Sequence, residues 1–401
     1  MEELKPQFPF FTTHPTGVYL DSAATTQVPQ AVIDATTTYL SNNHAAVGRG
    51  LYSESVDATA AVEAARGVVR DFLGAPATAD VVFTSGATAA LNALAWGLTE
   101  TVQKGDTVVV TIDNHHANFL PWQRLVQQQG ATLVTVPVGS DGKIDPSAWH
   151  AALQNRPRIV ALTHASNVTG TLHPIKQLVA EARAAGALTV VDGAQAVAHT
   201  VVNLVELACD YYLFSAHKLY GPTGMGCIIG DHRQLSTLDP LLLGGGMIEQ
   251  VTAESSSWTD SPARHEAGTP NTAGIAGLVA AIRWFSAHRE TILRHEQTLI
   301  DYTIHALQSL PDLTLIGSTD PSERVGVFSF DLSGRHAHDV AQILAEKQIC
   351  VRAGHHCAQP LHTQLKLSAT TRVSVGAYTT TADIDAAVAA LQRVCEIIPK
   401  R

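Results

Sequence analysis

Residues 158–195 read RIVALTHASNVTGTLHPIKQLVAEARAAGALTVVDGAQ. Two short apolar runs in this stretch, 158–164 and 187–191, predict buried strands, and the run 174–185 between them predicts a helix. Parallel strands need a long crossover connection, so a strand, a helix and a second strand form a parallel βαβ unit. The stretch therefore predicts an α/β fold with a mostly parallel sheet that is covered by helices on both faces.

The same alternation extends on both sides of this unit. Further strands are predicted over 80–84, 107–112, 131–137, 211–214 and 225–229, and further helices over 86–98, 117–129 and 146–154. The last two strands have no long helix between them, which predicts a hairpin-like pair. After an irregular segment rich in Gly, Ser, Thr and Pro, 238–272, a helical pattern runs from Gly274 to about Leu310. A long irregular segment inside an enzyme is usually functional.

A compact C-terminal α+β lobe follows the long helix. Its predicted strands are 325–332, 349–352 and 371–375, and its predicted helices are 336–347 and 381–398. A chain of 401 residues is too long for one typical core and suits two domains.

Composition excludes several classes of function. The formal net charge is -10 and no cluster of Lys or Arg interrupts the acidic balance, so a nucleic-acid partner is not expected. No stretch reaches the roughly 18 to 20 apolar residues of a membrane span, and the N-terminus lacks the apolar run of a secretory signal. Scattered, odd-numbered cysteines without a CxxC motif predict a reducing cytoplasm rather than a disulfide framework; they are Cys209, Cys227, Cys350, Cys357 and Cys395.

A lysine and an aspartate follow two of the predicted strands. Lys218 lies in Phe214-Ser215-Ala216-His217-Lys218-Leu219-Tyr220-Gly221-Pro222, just after an apolar strand, and Asp192 ends the strand 187–191. Ligands of open α/β sheets bind at the carboxyl ends of the strands. A carboxylate there needs a cationic partner, and the pyridinium nitrogen of pyridoxal phosphate is one. The alternatives are a solvated surface lysine and a turn or helix-capping aspartate.

Two other strand ends carry polar residues. Thr84-Ser85-Gly86-Ala87-Thr88 joins a strand to a helix, where backbone N–H groups can hold a phosphate, although Ser and Thr there can simply cap the helix. Ser215 and His217 would complete such a phosphate cup from the lysine loop. His115, in Asn114-His115-His116-Ala117-Asn118, would stack on a flat cofactor ring, or would be an ordinary core or surface histidine.

Cys357 lies in Arg352-Ala353-Gly354-His355-His356-Cys357-Ala358-Gln359-Pro360, after two histidines on a glycine-containing loop. This setting is typical of a nucleophilic thiol whose pKa is lowered. A zinc site would need two more ligands, which the sequence does not offer as a second CxxC or HxxxH pair. A buried, inert cysteine is the other alternative.

Together these residues resemble the class V aminotransferase-like cysteine desulfurases, in the branch that contains the SufS and CsdA enzymes and the selenocysteine lyases. The resemblance covers nearly the whole chain. Its motifs are Tyr19-Leu20-Asp21-Ser22-Ala23-Ala24-Thr25-Thr26, His115 to Asn118, Ser166-Asn167-Val168-Thr169-Gly170, Asp192-Gly193-Ala194-Gln195, Ser215 to Lys218, Glu266-Ala267-Gly268-Thr269-Pro270-Asn271 and Arg352 to Pro360. The short Arg-x-Gly-His-His-Cys-Ala form marks this branch.

The resemblance implies a fold-type-I transferase, dependent on pyridoxal 5'-phosphate, that forms a homodimer with shared active sites. It implies three domain segments: 1–20 packing with the small domain, 21–285 binding the cofactor, and 286–401 carrying the cysteine loop. The implied cofactor-binding residues are Lys218, Asp192, Gln195, His115, Thr88, Ser215, His217 and, from the other subunit, Thr269. The implied catalytic residues are Cys357, Lys218 and His115, and the implied substrate-binding residues are Arg372, Asn167 and Arg352; no metal is expected.

The resemblance also implies partners. The substrate would be L-cysteine, or L-selenocysteine, and the sulfur would pass as a Cys357 persulfide to an acceptor protein of the SufE or CsdE type. A pyridoxal phosphate lyase or epimerase that acts on another amino acid, and a sulfur carrier without enzymatic activity, remain alternatives. Asn114, Ala89 and Gly48 depart from residues that are common in the relatives, and these departures bear on the rim of the pocket, the dimer contact and the sulfur acceptor.

Overall fold

A seven-stranded sheet forms the centre of the larger part of the chain in the computed structural model, which describes residues 4–399. The strands are β1 (Val18–Tyr19), β2 (Ala79–Thr84), β3 (Thr107–Thr111), β4 (Thr132–Val136), β5 (Ile159–Thr163), β6 (Leu188–Asp192), β7 (Tyr211–Ser215), β8 (Gly226–Asp231), β9 (Ile248–Val251), β10 (Ser256–Trp258), β11 (Leu313–Ile316), β12 (Val327–Leu332), β13 (Ile349–Cys350), β14 (Arg352–Gly354) and β15 (Thr370–Ser374).

The α-helices of the same residues are α1 (Pro9–Thr13), α2 (Gln30–Asn42), α3 (Ser53–Phe72), α4 (Ala87–Gly97), α5 (Leu120–Gln129), α6 (Pro146–Gln154), α7 (Ile175–Ala184), α8 (Leu204–Leu207), α9 (His232–Thr237), α10 (Thr272–Gln308), α11 (Ala337–Glu346), α12 (Gln359–Gln364) and α13 (Thr381–Ile397). Short 3₁₀ turns follow β3 and β7, at His116–Asn118 and Ala216–Lys218.

The large sheet has the strand order β2-β8-β7-β6-β5-β3-β4. Its neighbours pair in parallel except for β8, which runs antiparallel to both β2 and β7. This topology confirms the predicted α/β class with a mostly parallel sheet, and the hairpin-like pairing of β7 with β8. The carboxyl ends of β3, β5, β6 and β7 therefore meet at one edge of the sheet.

Successive residues of β5 pack into different cores. Val160 and Leu162 belong to one buried cluster, and Ile159 and Ala161 belong to another. Side chains of a strand point alternately to its two faces, and a strand covered on both faces reads as a continuous apolar run. The first cluster also contains side chains of α3, α6, α7 and α10, whereas the second contains side chains of α4 and α5.

A smaller antiparallel sheet, in the order β11-β12-β15-β14, forms the C-terminal lobe. The predicted strand 349–352 is in fact two strands with different partners. Ile349 and Cys350 pair in parallel with β1, and Arg352 pairs with Arg372 of β15. The segment that follows β14 reaches the loop after β3, where the Cys357 carbonyl accepts the N–H of His116 at 2.6 Å. The sequence pattern missed α2, α3, α12, β11 and the hairpin of β9 with β10.

Helix α10 contributes to the cores of both lobes. Leu278 lies in the core of the large sheet, and Leu299 lies in the core of the small one. The predicted domain division at 285/286 falls inside this continuous helix and stays a prediction, as does the assignment of 1–20, of which residues 1–3 lie outside the described part. Within 4–399, no helix, α10 included, has an apolar stretch long enough to cross a membrane.

Candidate active site

A cavity of about 260 Å³ opens at the carboxyl edge of the large sheet, beside the small lobe. All but one of the predicted site residues line it. They are Thr88, His115, Asn167, Asp192, Gln195, Ser215, His217, Lys218, Arg352, Cys357 and Arg372. Tertiary folding thus brings residues from distant parts of the sequence around one space.

Asp192 and Lys218 approach the cavity from neighbouring parallel strands. Asp192 is the last residue of β6, and Lys218 ends the 3₁₀ turn that follows β7. The Asp192 carboxylate is only 5% exposed and accepts the backbone N–H of Ala194 on Oδ1 at 2.9 Å. Burial raises the pKa of Asp192, which the Ala194 bond and the Lys218 charge partly oppose. Burial lowers the pKa of Lys218 to about 8, which the Asp192 charge partly opposes.

The N-terminus of α4 forms one end of the cavity. Ser215 accepts the N–H of Ala87 on its hydroxyl at 2.8 Å, which ties β7 to the first turn of the helix. Gly86 has φ of +132°, and a Cβ on Gly226 would lie 2.6 Å from the Gly86 Cα, so both positions need glycine. The free N–H groups of a first helical turn attract anions. This end of the cavity therefore fits a phosphate group.

His115 presents a neutral ring to the cavity. Its Nδ1 accepts the N–H of Ala117 at 3.0 Å, which leaves the proton of the neutral ring on Nε2. Burial, followed by the charge of Lys218, lowers the pKa of His115 to about 3. A flat, uncharged ring that is fixed at this position fits a stacking partner for an aromatic cofactor.

The unusual Asn114 holds the His115 loop in place. Asn114 is fully buried, and its Nδ2 donates to the carbonyl oxygens of Asn118 and Ala161 at 3.1 and 3.0 Å. Its Oδ1 accepts the Thr111 hydroxyl at 3.0 Å. A carboxylate at this position would have no proton to donate to the two carbonyls. The amide therefore suits this particular loop, and the departure is explained by its contacts.

Two arginines share one carboxylate that the sequence reasoning did not single out. Asp21 accepts Arg372 Nη2 on Oδ1 at 3.2 Å and Arg352 Nε on Oδ2 at 3.3 Å. Arg372 is 2% exposed, and its Nη1 donates to the Asn167 carbonyl at 3.0 Å. Its buried Nε has no hydrogen-bond partner. Two cations beside one anion leave net positive charge, which suits the carboxylate of a small substrate.

Cys357 is exposed on a loop whose backbone is tightly held. His356 and Cys357 both have left-handed φ angles, 49° and 57°. The Cys357 carbonyl accepts the N–H of His116 at 2.6 Å, and the His356 carbonyl accepts Asn167 Nδ2 at 2.6 Å. Non-glycine residues in this region persist only where surrounding contacts enforce them. The loop thus presents the thiol to the cavity in a fixed conformation.

Gln195 lines the cavity, whereas Thr269 lies outside it. Gln195 is buried and donates an Nε2–H to the Ala23 carbonyl at 2.9 Å, so its amide has a second N–H to offer. Thr269 does not line this cavity. It is exposed beside a separate cavity of about 270 Å³ that Ala89 also lines, and its predicted contact with another subunit stays a prediction. Gly48 is exposed, with φ of +105°.

Within 4–399, no three or more His, Cys, Asp or Glu side chains are grouped to hold a metal ion. All five cysteines are free thiols.

Comparisons with known proteins identify relatives over the whole chain. The profile of the family described as aminotransferase class-V matches residues 18–387. A cysteine desulfurase of Pectobacterium carotovorum is 41% identical, over 99% of this chain and 98% of that protein. A cysteine desulfurase of Klebsiella pneumoniae is 42% identical, over 99% of both chains.

Solved structures show the same similarity. The apo structure of a cysteine desulfurase from Thermococcus onnurineus superimposes with a TM-score of 0.94 at 34% identity, covering 99% of this chain and 98% of that one. The cysteine desulfurase CsdA of Escherichia coli, in its S-sulfonic acid form, superimposes with a TM-score of 0.89 at 36% identity and with the same coverage.

Proposed function

The chain belongs to the class-V aminotransferase family, and on that basis we infer that it is a cysteine desulfurase. Such an enzyme removes sulfur from L-cysteine and releases L-alanine. One observation of the structure carries the assignment: the exposed Cys357 thiol lines the same small cavity as Lys218 and Asp192. An acid, an amine and a thiol in one cavity supply the groups that this reaction needs.

The cavity fits pyridoxal 5'-phosphate, on which this family depends. We propose that Lys218 holds the cofactor covalently, that Asp192 pairs with its ring nitrogen, that His115 stacks on the ring and that Gln195 binds its phenolic oxygen. Thr88, Ser215 and His217 would hold the phosphate, with Thr269 reaching the phosphate of a second subunit. When bound, the cofactor supplies an electron sink for bond changes at the substrate carbons.

Arg372 and Asn167 would bind the substrate carboxylate, with Arg352 beside them. Both arginines line the cavity and share only the Asp21 carboxylate, so net positive charge remains there for a substrate carboxylate. Lys218 would remove the Cα proton, because its lowered pKa of about 8 makes a neutral amine accessible near neutral pH. His115, which is neutral in the same range, would assist proton transfer from its Nε2 side.

Cys357 would take the sulfur. Its thiolate attacks the substrate sulfur, a new S–S bond forms, and the substrate Cβ–S bond breaks with its electron pair left on the carbon fragment. Protonation of that fragment gives L-alanine, and Cys357 keeps a persulfide. The reaction needs no external oxidant, because the carbon is reduced while the transferred sulfur is oxidised.

We further propose a homodimer, a sulfur-accepting protein of the SufE or CsdE type, and a cytoplasmic location. The exposure of Cys357 supports transfer to an acceptor. Exposure of Thr269 together with Leu242 and Leu243, which are 63% and 64% exposed, supports a second subunit on that face. The five free cysteines suit a reducing compartment.

The test is the release of alanine from L-cysteine by the pyridoxal phosphate-loaded protein. Lys218→Ala should abolish release from any amino acid. Cys357→Ala should abolish release from L-cysteine while sparing release from L-selenocysteine, because selenium leaves more readily than sulfur. Cys350→Ala is the matched control, since Cys350 is also exposed but does not line the cavity, and it should keep activity. Unchanged release of alanine from L-cysteine by Cys357→Ala would rule out the persulfide and favour a lyase that does not use this thiol.

A further inference from the structure

We infer that Thr370 and His362 are positioning residues for Cys357, because the Thr370 hydroxyl joins His356 and His362 in one directed chain of hydrogen bonds. The inference rests on the proposed function of Cys357 as the residue that accepts sulfur. His356 directly precedes Cys357, and His362 lies in α12, which begins two residues after it. The chain of hydrogen bonds therefore braces the cysteine loop from both sides.

The direction of each bond follows from the available protons. His362 Nδ1 lies 3.1 Å from the Ala358 carbonyl, which can only accept, so Nδ1 carries the proton of the neutral ring. His362 Nε2, 3.0 Å from the Thr370 hydroxyl, is then an acceptor, and the hydroxyl donates to it. Since that hydroxyl has one proton, it must accept from His356 Nε2 at 2.9 Å. His356 therefore donates to the Thr370 hydroxyl, and the Thr370 hydroxyl donates to His362.

The three side chains of this hydrogen-bond chain are buried, so water cannot replace a bond that is lost. Thr370 is fully buried, His362 is 1% exposed and His356 is 7% exposed. Burial, followed by the Arg372 charge, lowers the pKa of His356 to about 2, and burial also lowers that of His362, so both rings are neutral. The assigned direction leaves His356 Nδ1 without a proton, and this is the ring atom that has no partner. The hydrogen bond to Thr370 therefore orients the His356 ring.

These hydrogen bonds, here called the brace, link the cysteine loop to the proposed substrate site. Thr370 belongs to β15, two residues before Arg372, and pairs with Gly354 at the start of the loop. The His356 carbonyl is bound by Asn167, whose own carbonyl accepts from Arg372. One hydroxyl thus fixes the loop against the strand that carries the carboxylate-binding arginine.

Thr370→Val tests the brace, since valine keeps the shape of threonine and removes its hydroxyl. Thr370→Ser restores the hydroxyl, and Thr371→Val is the matched control, because Thr371 is equally buried in the same strand but bonds the Ala337 carbonyl instead. Removal of the hydroxyl breaks two buried hydrogen bonds, to His356 and to His362, and at about fivefold for each bond this corresponds to about thirtyfold in an equilibrium. Amide hydrogen exchange of residues 355–359 and kinetics of the holoenzyme are measured.

In Thr370→Val we expect about thirtyfold faster exchange of these amides and a kcat for L-cysteine that is lower by about fivefold or more. Release of alanine from L-selenocysteine should stay within about twofold of wild type, because that release does not need the thiol. Thr370→Ser and Thr371→Val should match wild type. If Thr370→Val does not fold, His362→Leu takes its place and should show the same pattern.

Equal exchange rates of the 355–359 amides in Thr370→Val and Thr371→Val would overturn the inference. An equal loss of turnover of L-cysteine and L-selenocysteine in Thr370→Val would also overturn it, because the effect would then lie at the substrate site. A wild-type protein that releases no alanine from L-cysteine refutes the proposed function instead, and the exchange measurement then still decides whether the brace exists.

Discussion

The ion pair of Arg66 with Glu266 anchors the segment that leads to Thr269, and Glu266→Gln should destabilise the protein by about 1.5–3 kcal/mol. Glu266 accepts Arg66 Nη1 at 2.7 Å and Nη2 at 2.8 Å, and it accepts the N–H of Phe83 at 2.6 Å. The two side chains are 12% and 13% exposed. Charge-assisted hydrogen bonds contribute about 1.5–3 kcal/mol each. Glutamine keeps one acceptor oxygen but turns an N–H₂ toward the guanidinium, so most of one such bond is lost.

The measurement is the apparent free energy of unfolding from urea titrations followed by circular dichroism. Glu63→Gln is the control, since Glu63 bonds the same guanidinium at 3.2 Å from a side chain that is 60% exposed. Exposed ion pairs contribute between about 0 and 1 kcal/mol, so this variant should lose about 0.5 kcal/mol or less. Equal losses for the two variants would refute the argument that burial decides the strength of the pair.

Three further outcomes follow from the site. In the cofactor-free protein, the rate of acylation of Lys218 should increase as the pH rises through about 8, where its amine becomes neutral, whereas Lys143, whose pKa is raised by its bond to Glu323, should react only at higher pH. Peptide mass spectrometry of both lysines after acylation measures this difference. Burial lowers the pKa of His115 to about 3 and of His164 to about 4, so below about pH 6.5 the unfolded chain binds more protons than the folded one, and the free energy of unfolding should fall toward pH 4 by up to about 1.4 kcal/mol per pH unit for each histidine. In urea titrations at several pH values, His115→Gln should reduce this pH dependence, and an unchanged pH dependence would contradict the low pKa of His115. Arg372→Lys should raise KM for L-cysteine by about tenfold or more, because an ammonium cannot reproduce the guanidinium fork, and a wild-type KM in steady-state assays would argue against its role.

Sequence reasoning located the groups at the ends of the strands. Apolar runs of strand length alternate with helical patterns, and the carboxyl ends of parallel strands must meet at one edge, so Asp192 and Lys218 were expected to lie together. Recognisable motifs extended this expectation to Cys357 and Arg372, which lie in the other lobe. Local sequence patterns cannot predict that these two residues contact the edge of the large sheet. The helices α2 and α3 were missed, although α3 supplies Arg66.

The sequence by itself determined the fold class, the lysine and aspartate at the sheet edge and the thiol on its loop, because strand periodicity and local motifs are properties of short stretches of chain. Only the tertiary structure decided that Asp21 lies between two arginines, although 351 positions separate it from Arg372. It also decided that the Thr370 hydroxyl lies between two histidine rings. Both contacts join side chains of different secondary-structure elements, and the distances between elements are not encoded in any local pattern.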